Sequence, residues 1–392
     1  MEFLKSIRNN IRQYAIGVAF IVIVLLFWLA TGGTILSPRN VNNIIQQNSY
    51  VLILATGMLL CILTGNVDLS VGSVVAFVGA VTAVLIVNFG LPVWLVIPIG
   101  LLMGLIVGAF QGFFIAYLRI PAFIVTLAGM LAFRGLTMVI LRGQTVGPLP
   151  KEYTFFAADW LPSISEFRIG GETINLLAVL CGVALSLFVI ITVFRRRGNR
   201  LKYQFEVSPI WLDITKIGVI VAAIGFVSIT LARYNGIPAV MMILTLIIAV
   251  YAFITQRTIA GRHIYAMGGN EKAAMFSGVK TRRVMFFVYM NMGLLAALAG
   301  IVVSGRLNAA TPKAGNGYEL DAIAACFVGG ASASGGIGTV AGAIIGALVM
   351  GVLNNGMSIM GVSVDWQQAI KGFVLLAAVT FDVLNKNRTS KR

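Results

Sequence analysis

Apolar runs alternate with short polar or glycine-bearing breaks along the whole chain, at 14–31, 51–64, 71–89, 93–118, 122–141, 174–194, 214–231, 239–255, 284–304, 321–330, 337–353 and 366–384. Water cannot solvate apolar surface on that scale, whereas lipid can, so each run is read as a helix crossing a bilayer in roughly 20 residues. The pattern predicts an all-α fold, a polytopic membrane protein of about 12 transmembrane helices. The run at 321–330 is too short and too rich in glycine and alanine for an ordinary crossing, and is expected to be a short or broken helix. The first run follows a basic segment, as in a signal peptide, but its unbroken length and the lack of a clear small-residue cleavage site favour an uncleaved span.

Composition agrees with this reading. Hydrophobic residues make up 59% of the chain, charged residues 11%, and the mean hydropathy is +0.95; a soluble globule carries about a quarter charged residues. The net charge of +16 raises the question of a nucleic-acid partner. However, the 29 Lys and Arg fall mostly in a few breaks: Lys5, Arg8 and Arg12, then 195–202, 257–283 and 386–392. Concentration between apolar runs is what the positive-inside rule produces, so the charge reports topology and no nucleic acid is expected. Alternating the runs places both termini, 195–211 and 256–283 in the cytoplasm, with about 20 of the 29 basic residues. The outer loops then hold Arg39, Arg142, Lys151, Arg168, Arg233, Arg306 and Lys313, while Arg134 and Lys371 lie within spans. Without a crossing at 321–330 the basic tail would end outside, so parity requires one.

Two stretches interrupt the rhythm of short loops. Residues 143–173 carry mixed charge and are expected to be an extracytoplasmic loop; residues 195–211 open with three arginines and are expected to be a basic cytoplasmic loop. Neither reads as a separate domain, so residues 1–392 are taken as one transmembrane domain. Cys61, Cys181 and Cys326 each sit in an apolar run and His263 is the only imidazole, so neither a disulfide framework nor a metal site is expected.

Four stretches carry candidate chemistry. Residues 65–73, GNVDLSVGS, place Asn66, Asp68, Ser70 and Ser73 among apolar sequence. A carboxylate there is costly unless it faces a water-filled path or a partner, and Gly65 and Gly72 would let the backbone unwind between two helices. A tight turn with Asp68 capping the next helix is the other reading, and the two are compatible. Residues 121–135 offer a small-residue face at Thr126, Gly129, Ala132 and Gly135 with Arg134 inside the span. Arg134 could pair with Asp68, contact solute hydroxyls, or snorkel to an interface. Residues 258–278, TIAGRHIYAMGGNEKAAMFSG, read as two short cytoplasmic helices punctuated by Gly261, Gly268 and Gly269, with Asn270 capping the second. Such a pair between spans suits docking onto a motor, with Gly268, Ala274 and Gly278 letting the helices seat closely. Lastly, Gly338, Gly342 and Gly346 recur every four residues, as close helix packing requires, and Asn354 and Asn355 follow within reach of a sugar. Glu319 and Asp321 open the short helix at its dipole-favoured end.

In order and spacing, residues 65–73, 121–135, GRHIYAMGGN at 261–270 with Ala273, Ala274 and Gly278, and the 319–356 region resemble the permeases of bacterial ABC sugar importers of the ribose, galactose and xylose class. The resemblance covers nearly the whole chain. It implies a multi-pass subunit of the inner membrane that works with a second permease copy, two cytoplasmic ABC ATPase subunits and an extracytoplasmic sugar-binding protein. It also implies that Gly261, Arg262, Tyr265, Gly268, Gly269, Asn270, Ala273, Ala274, Ser277 and Gly278 form the coupling loop, 256–283, that receives the nucleotide-driven motion. Asn66, Asp68, Ser70, Thr126, Asn354 and Asn355 are the candidates for the translocation pathway. The region 143–234, which shorter members lack, is most similar to xylose-type and multiple-sugar permeases. The expected cargo is a monosaccharide, xylose or a related pentose or hexose, chosen mainly by the external binding protein.

No phosphate-cradling Gly-Lys-Ser/Thr loop occurs in the chain, so no cofactor is expected here and ATP-Mg belongs to a partner subunit. Catalysis by this chain is not expected either, because acids within spans are few and no nucleophile and base pair is evident. The alternative is a secondary transporter coupling sugar to protons through Asp68 and Arg134.

Overall fold

A computed structural model describes residues 17–390 except 164, 170, 171, 206 and 208. The basic N-terminal segment with Lys5, Arg8 and Arg12, the start of the first apolar run, and residues 391–392 lie outside the described residues. Helices account for most of the rest, beginning with α1 (Gly17–Ala30), α2 (Pro38–Gln47), α3 (Ser49–Leu63), α4 (Val71–Val87), α5 (Val93–Ala116), α6 (Ala122–Leu141) and α7 (Lys151–Ala158). They continue with α8 (Leu176–Lys202), α9 (Ile210–Ala232), α10 (Val240–Arg257), α11 (Ile259–Gly269), α12 (Glu271–Phe276), α13 (Thr281–Leu307), α14 (Tyr318–Val328), α15 (Val340–Ile359) and α16 (Val364–Ser390).

Every predicted run has a helical counterpart. Among the described residues, α5, α6, α8, α9, α10, α13 and α15 are each long and apolar enough to cross a bilayer, and α2 with α3 form a pair bent by 42°. The run at 321–330 is the 11-residue α14, about 16 Å long at 1.5 Å per residue, or roughly half of a 30 Å hydrocarbon core. The chain is a multi-pass membrane protein.

Packing divides the chain into two units, one of Leu36–Asn43 with Asp159–Ala239 and one of the remainder. The larger unit is built around α3, all of whose residues are buried, wrapped by α13, α14, α15 and α10. Because lipid is as apolar as a protein core, helices in a membrane associate through close backbone approach rather than hydrophobic burial. Here α5 meets α13 through Gly104, Gly108 and Gly112: a Cβ on Gly104 would overlap Gly293 and Ala297, one on Gly108 would lie 2.8 Å from the Met290 Cα, and one on Gly112 would lie 2.9 Å from the Phe286 carbonyl oxygen. Gly342 and Gly346 of α15 face Gly329 and Ala325 at the end of α14 in the same way. Gly338 does not share that face; it precedes Thr339, whose hydroxyl caps α15 by accepting from the Gly342 N–H at 3.0 Å. The short α7 is pinned by Tyr153, whose hydroxyl meets Thr82 of α4 at 2.8 Å and Ser304 of α13 at 2.9 Å.

In the smaller unit α8 packs on α9, with the Ser228 hydroxyl donating to the Ala178 carbonyl at 2.6 Å. Only 6% and 11% of their most apolar windows are buried, against 67% in α13, so these two helices present apolar side chains nearly all round, as lipid requires. Two strands, β1 (Glu166–Ile169) and β2 (Glu172–Asn175), form an antiparallel hairpin with Glu166 opposite Asn175. Asn175 then caps α8 by accepting from the Ala178 N–H at 3.2 Å. The predicted basic loop is shorter than its bounds: α8 continues through the arginines to Lys202, and Arg197 pairs with Asp213 of α9.

Candidate functional site

Polar groups of the larger unit gather at three places. The first is the α11–α12 hairpin. Thr258 caps α11 by accepting from the Gly261 N–H at 3.2 Å, and Asn270 caps α12, as its sequence position led us to expect, by accepting from the Ala273 N–H at 3.0 Å. Gly261 is pressed on the end of α10, where a Cβ would lie 2.5 Å from the Thr255 carbonyl oxygen. Gly268 sits on the last carbonyl of α3: its Cβ would overlap the Leu63 oxygen and lie 2.5 Å from the Gly336 N–H, which itself donates to Leu63 at 2.9 Å. Tyr265 donates its hydroxyl to the Gly338 carbonyl at 2.7 Å. Burial raises the pKa of that phenol, which keeps it a donor.

The coupling candidates therefore split. Gly261 and Ala274 are buried and Gly268 lies against backbone, so the small residues seat α11 and α12 on their own chain rather than in a partner's groove. Arg262, Gly269, Asn270, Ala273, Ser277 and Gly278 are exposed, joined by Phe276 at 84% exposure. An exposed phenylalanine beyond the spans, unpredicted from sequence, gives the hairpin an apolar point of contact.

The second place is the α3–α4 break. Asp68 is 2% exposed and one of its oxygens accepts from the Ser70 N–H at 2.8 Å and the Ser70 hydroxyl at 2.7 Å, a local cap for α4. The Gln111 amide donates to the same hydroxyl at 2.8 Å, and Gly129 of α6 closes over them, a Cβ there falling 2.5 Å from the Gln111 nitrogen. Asn66 bonds the Thr64 carbonyl at 3.1 Å; Thr126 is buried one turn before Gly129 and bonds the Ala122 carbonyl at 2.9 Å. Arg134 does not reach Asp68. Its guanidinium donates to the Ala314 carbonyl at 2.7 Å.

The third place surrounds Asp321, 1% exposed in the first turn of α14. Its carboxylate accepts from the Tyr50 hydroxyl at 2.8 Å, pairs with Lys371 of α16 at 3.0 Å, and receives Asn354 at 3.5 Å. The Tyr50 ring stacks on Tyr318 with centroids 3.7 Å apart. Asn355, by contrast, turns to Gln47 at 3.4 Å, so the two asparagines do not act together. Glu319 reaches from α14 to the first turn of α4, where Gly72 has room for no side chain. The second and third places are thus neighbours. Tyr50, Gln111 and Lys371 went unrecognised in the sequence, although opposite charges at Asp321 and Lys371 inside apolar runs are themselves a signal for pairing.

Comparison with known proteins follows this geometry. A family model described as branched-chain amino acid transport system / permease component matches residues 40–202 and 173–379. The chain is 38% identical over 385 residues to a xylose transport system permease protein of Haemophilus influenzae, covering 98% of this chain and 99% of that one. It is 40% identical over 388 residues to the xylose transport system permease protein of Escherichia coli K12, covering 98% and 95%. A ribose import permease protein of the same strain is 36% identical over 366 residues, covering 92% of each. No solved structure matches the chain.

Proposed function

The chain belongs to the permease family whose model it matches, and we propose that it is the membrane subunit of an ATP-driven xylose importer of the bacterial cytoplasmic membrane. The observation that carries this reading is identity of 38% or more to xylose permeases spread over 98% of the chain.

The geometry supplies a mechanism. An ATPase seated on Arg262, Phe276 and the exposed turn at 269–273 would push on α11. Since Gly268 touches both the last carbonyl of α3 and the loop before α15, any shift of α11 must move these two ends together. The α3 end leads within seven residues to Asp68 and Ser70, so the push reaches a broken-helix polar site, the kind of element that has two arrangements. There Ser70, Gln111 and Asn66 present the hydroxyl and amide groups that recognise sugar hydroxyls, while Asp68 holds the break in shape. Thr126 is buried one turn before Gly129, beside this site, and Asn354 belongs to the adjoining Asp321 cluster. A second copy of the chain would complete the path, ATP-Mg would be bound and hydrolysed in the partner ATPase, and an external binding protein would deliver the sugar. Arg134 bonded to a carbonyl, rather than to Asp68, disfavours the proton-coupled alternative.

The test is uptake of labelled xylose, ribose and galactose in cells lacking this gene. Xylose uptake should disappear, return on complementation, and be blocked by arsenate but not by a protonophore. Inhibition by the protonophore alone would assign the chain to proton-coupled transport; selective loss of ribose uptake would change the sugar.

A further inference from the structure

Between α10, α11 and α13 lies a cavity of about 530 Å³, inside the range of small-molecule sites, that the sugar path does not use and that shares only Gly278 with the docking face. Its walls are apolar, from Leu60, Ile254, Ile264, Val284 and Phe287, and its inner end is closed by Tyr251 hydrogen-bonded to Asn291. Three cation-capable side chains, His263, Lys280 and Arg283, also line it, the last two within one turn of each other at the start of α13. No carboxylate lines the cavity, and none of the three is paired with one among the described residues. Phe287 is 56% exposed, so the slot opens sideways. From Arg283 to Asn291 the helix rises about 12 Å, close to the depth of one leaflet's hydrocarbon, about 15 Å.

An apolar slot of leaflet depth beneath a cationic rim matches one kind of molecule, an acyl chain carrying an anionic headgroup. A sugar would leave the walls unsatisfied, and a soluble anion would leave the slot empty. We propose that the cavity binds an anionic phospholipid of the cytoplasmic leaflet, its phosphate on Lys280 and Arg283 and one acyl chain between α10 and α13. The proposal rests on the same cytoplasmic placement of the α11–α12 hairpin as the transport reading. Basic pockets between spans on that side attract acidic headgroups by charge, and a chain seated in the slot adds shape. Since Ile264 belongs to the docking helix, a bound lipid would brace the hairpin against α13.

The full-length permease, purified in mild detergent, should retain added phosphatidylglycerol in native mass spectrometry at about tenfold lower concentration than phosphatidylcholine of the same chains. A Lys280→Gln/Arg283→Gln double variant, at two exposed positions that do not support the fold, should lose that preference. Arg119→Gln, an exposed cation away from the cavity, should keep it. Val284→Trp fills the slot without changing charge and should also release the lipid. Equal retention of the two lipids, or a preference unchanged in the double variant, overturns the proposal. So does loss in the double variant with full retention in a folded Val284→Trp protein, which would place the lipid on the surface cations alone. None of these readouts involves transport, so failure of the lipid site and failure of the xylose assignment are separable.

Discussion

Asp321 is a single carboxylate taken almost wholly out of solvent at the start of an 11-residue helix, and its charge is tolerable because Lys371, Tyr50 and Asn354 converge on it. Removing one partner of such a pair leaves an uncompensated buried charge, at a cost of about 3–5 kcal/mol, whereas removing both charges is often nearly neutral. Lys371→Met should therefore lower the thermal unfolding temperature in detergent by several degrees, and Lys371→Met combined with Asp321→Asn should recover most of the loss. If the single variant unfolds with the wild type, Tyr50 alone satisfies the acid and the ion pair contributes nothing. Asp68 is the opposite case. Its partner is Ser70, two residues along, and such a local cap was legible from the one-dimensional spacing. Gln111, 41 residues further, was not, because nothing in the sequence says which face of α5 meets α4.

At the scale of elements, helix pairs are held by glycines that admit another backbone. The four-residue spacing was recognised in α15, where Gly342 and Gly346 do pack on α14, but the longer series in α5 gained its meaning only from α13. Gly104→Leu would drive a side chain into Gly293 and Ala297 and force the helices apart, a cost of about 1–3 kcal/mol or more in a packed interface. The variant should fail to accumulate in the membrane. Gly135→Leu, on α6 with no atom within 4 Å of its Cβ, should accumulate like the wild type. Immunoblotting of membrane fractions decides between them; equal amounts would mean that the α5–α13 contact is dispensable.

For the molecule as a whole, orientation follows from where the basic residues lie, and it makes a definite labelling pattern. In a Cys181→Ser background, which removes the one exposed thiol among the described residues, Lys151→Cys should react with an impermeant maleimide in intact cells. Lys272→Cys, on the exposed side of α12, should react only after permeabilisation. Labelling of both from outside would mean that the span count is even between them, not the expected three, and that the hairpin cannot meet a cytoplasmic ATPase. The Gly268 contact agrees with the expected parity, since it sets the end of α3 and the loop before α15 on the same side as the hairpin.

Apolar run length by itself determined that this is an all-α membrane protein, where its helices lie, and that α14 is short, because lipid admits so few ways of satisfying a backbone. Charge placement sets the expected side of each loop, and side-chain type at the helix start gave the cap at Asn270, which is a local effect. Which small residues face another helix and which face outward was decided only in three dimensions. Gly268 and Ala274 turn inward while Gly269 and Phe276 turn out, although all four belong to one short hairpin. Likewise Lys371 finds Asp321, and Arg134 finds a carbonyl instead of Asp68, through contacts 50 and 180 residues apart. Such pairings depend on helix rotation and depth, which in an all-apolar span leave no periodic trace in the sequence, because lipid and protein interior ask for the same side chains.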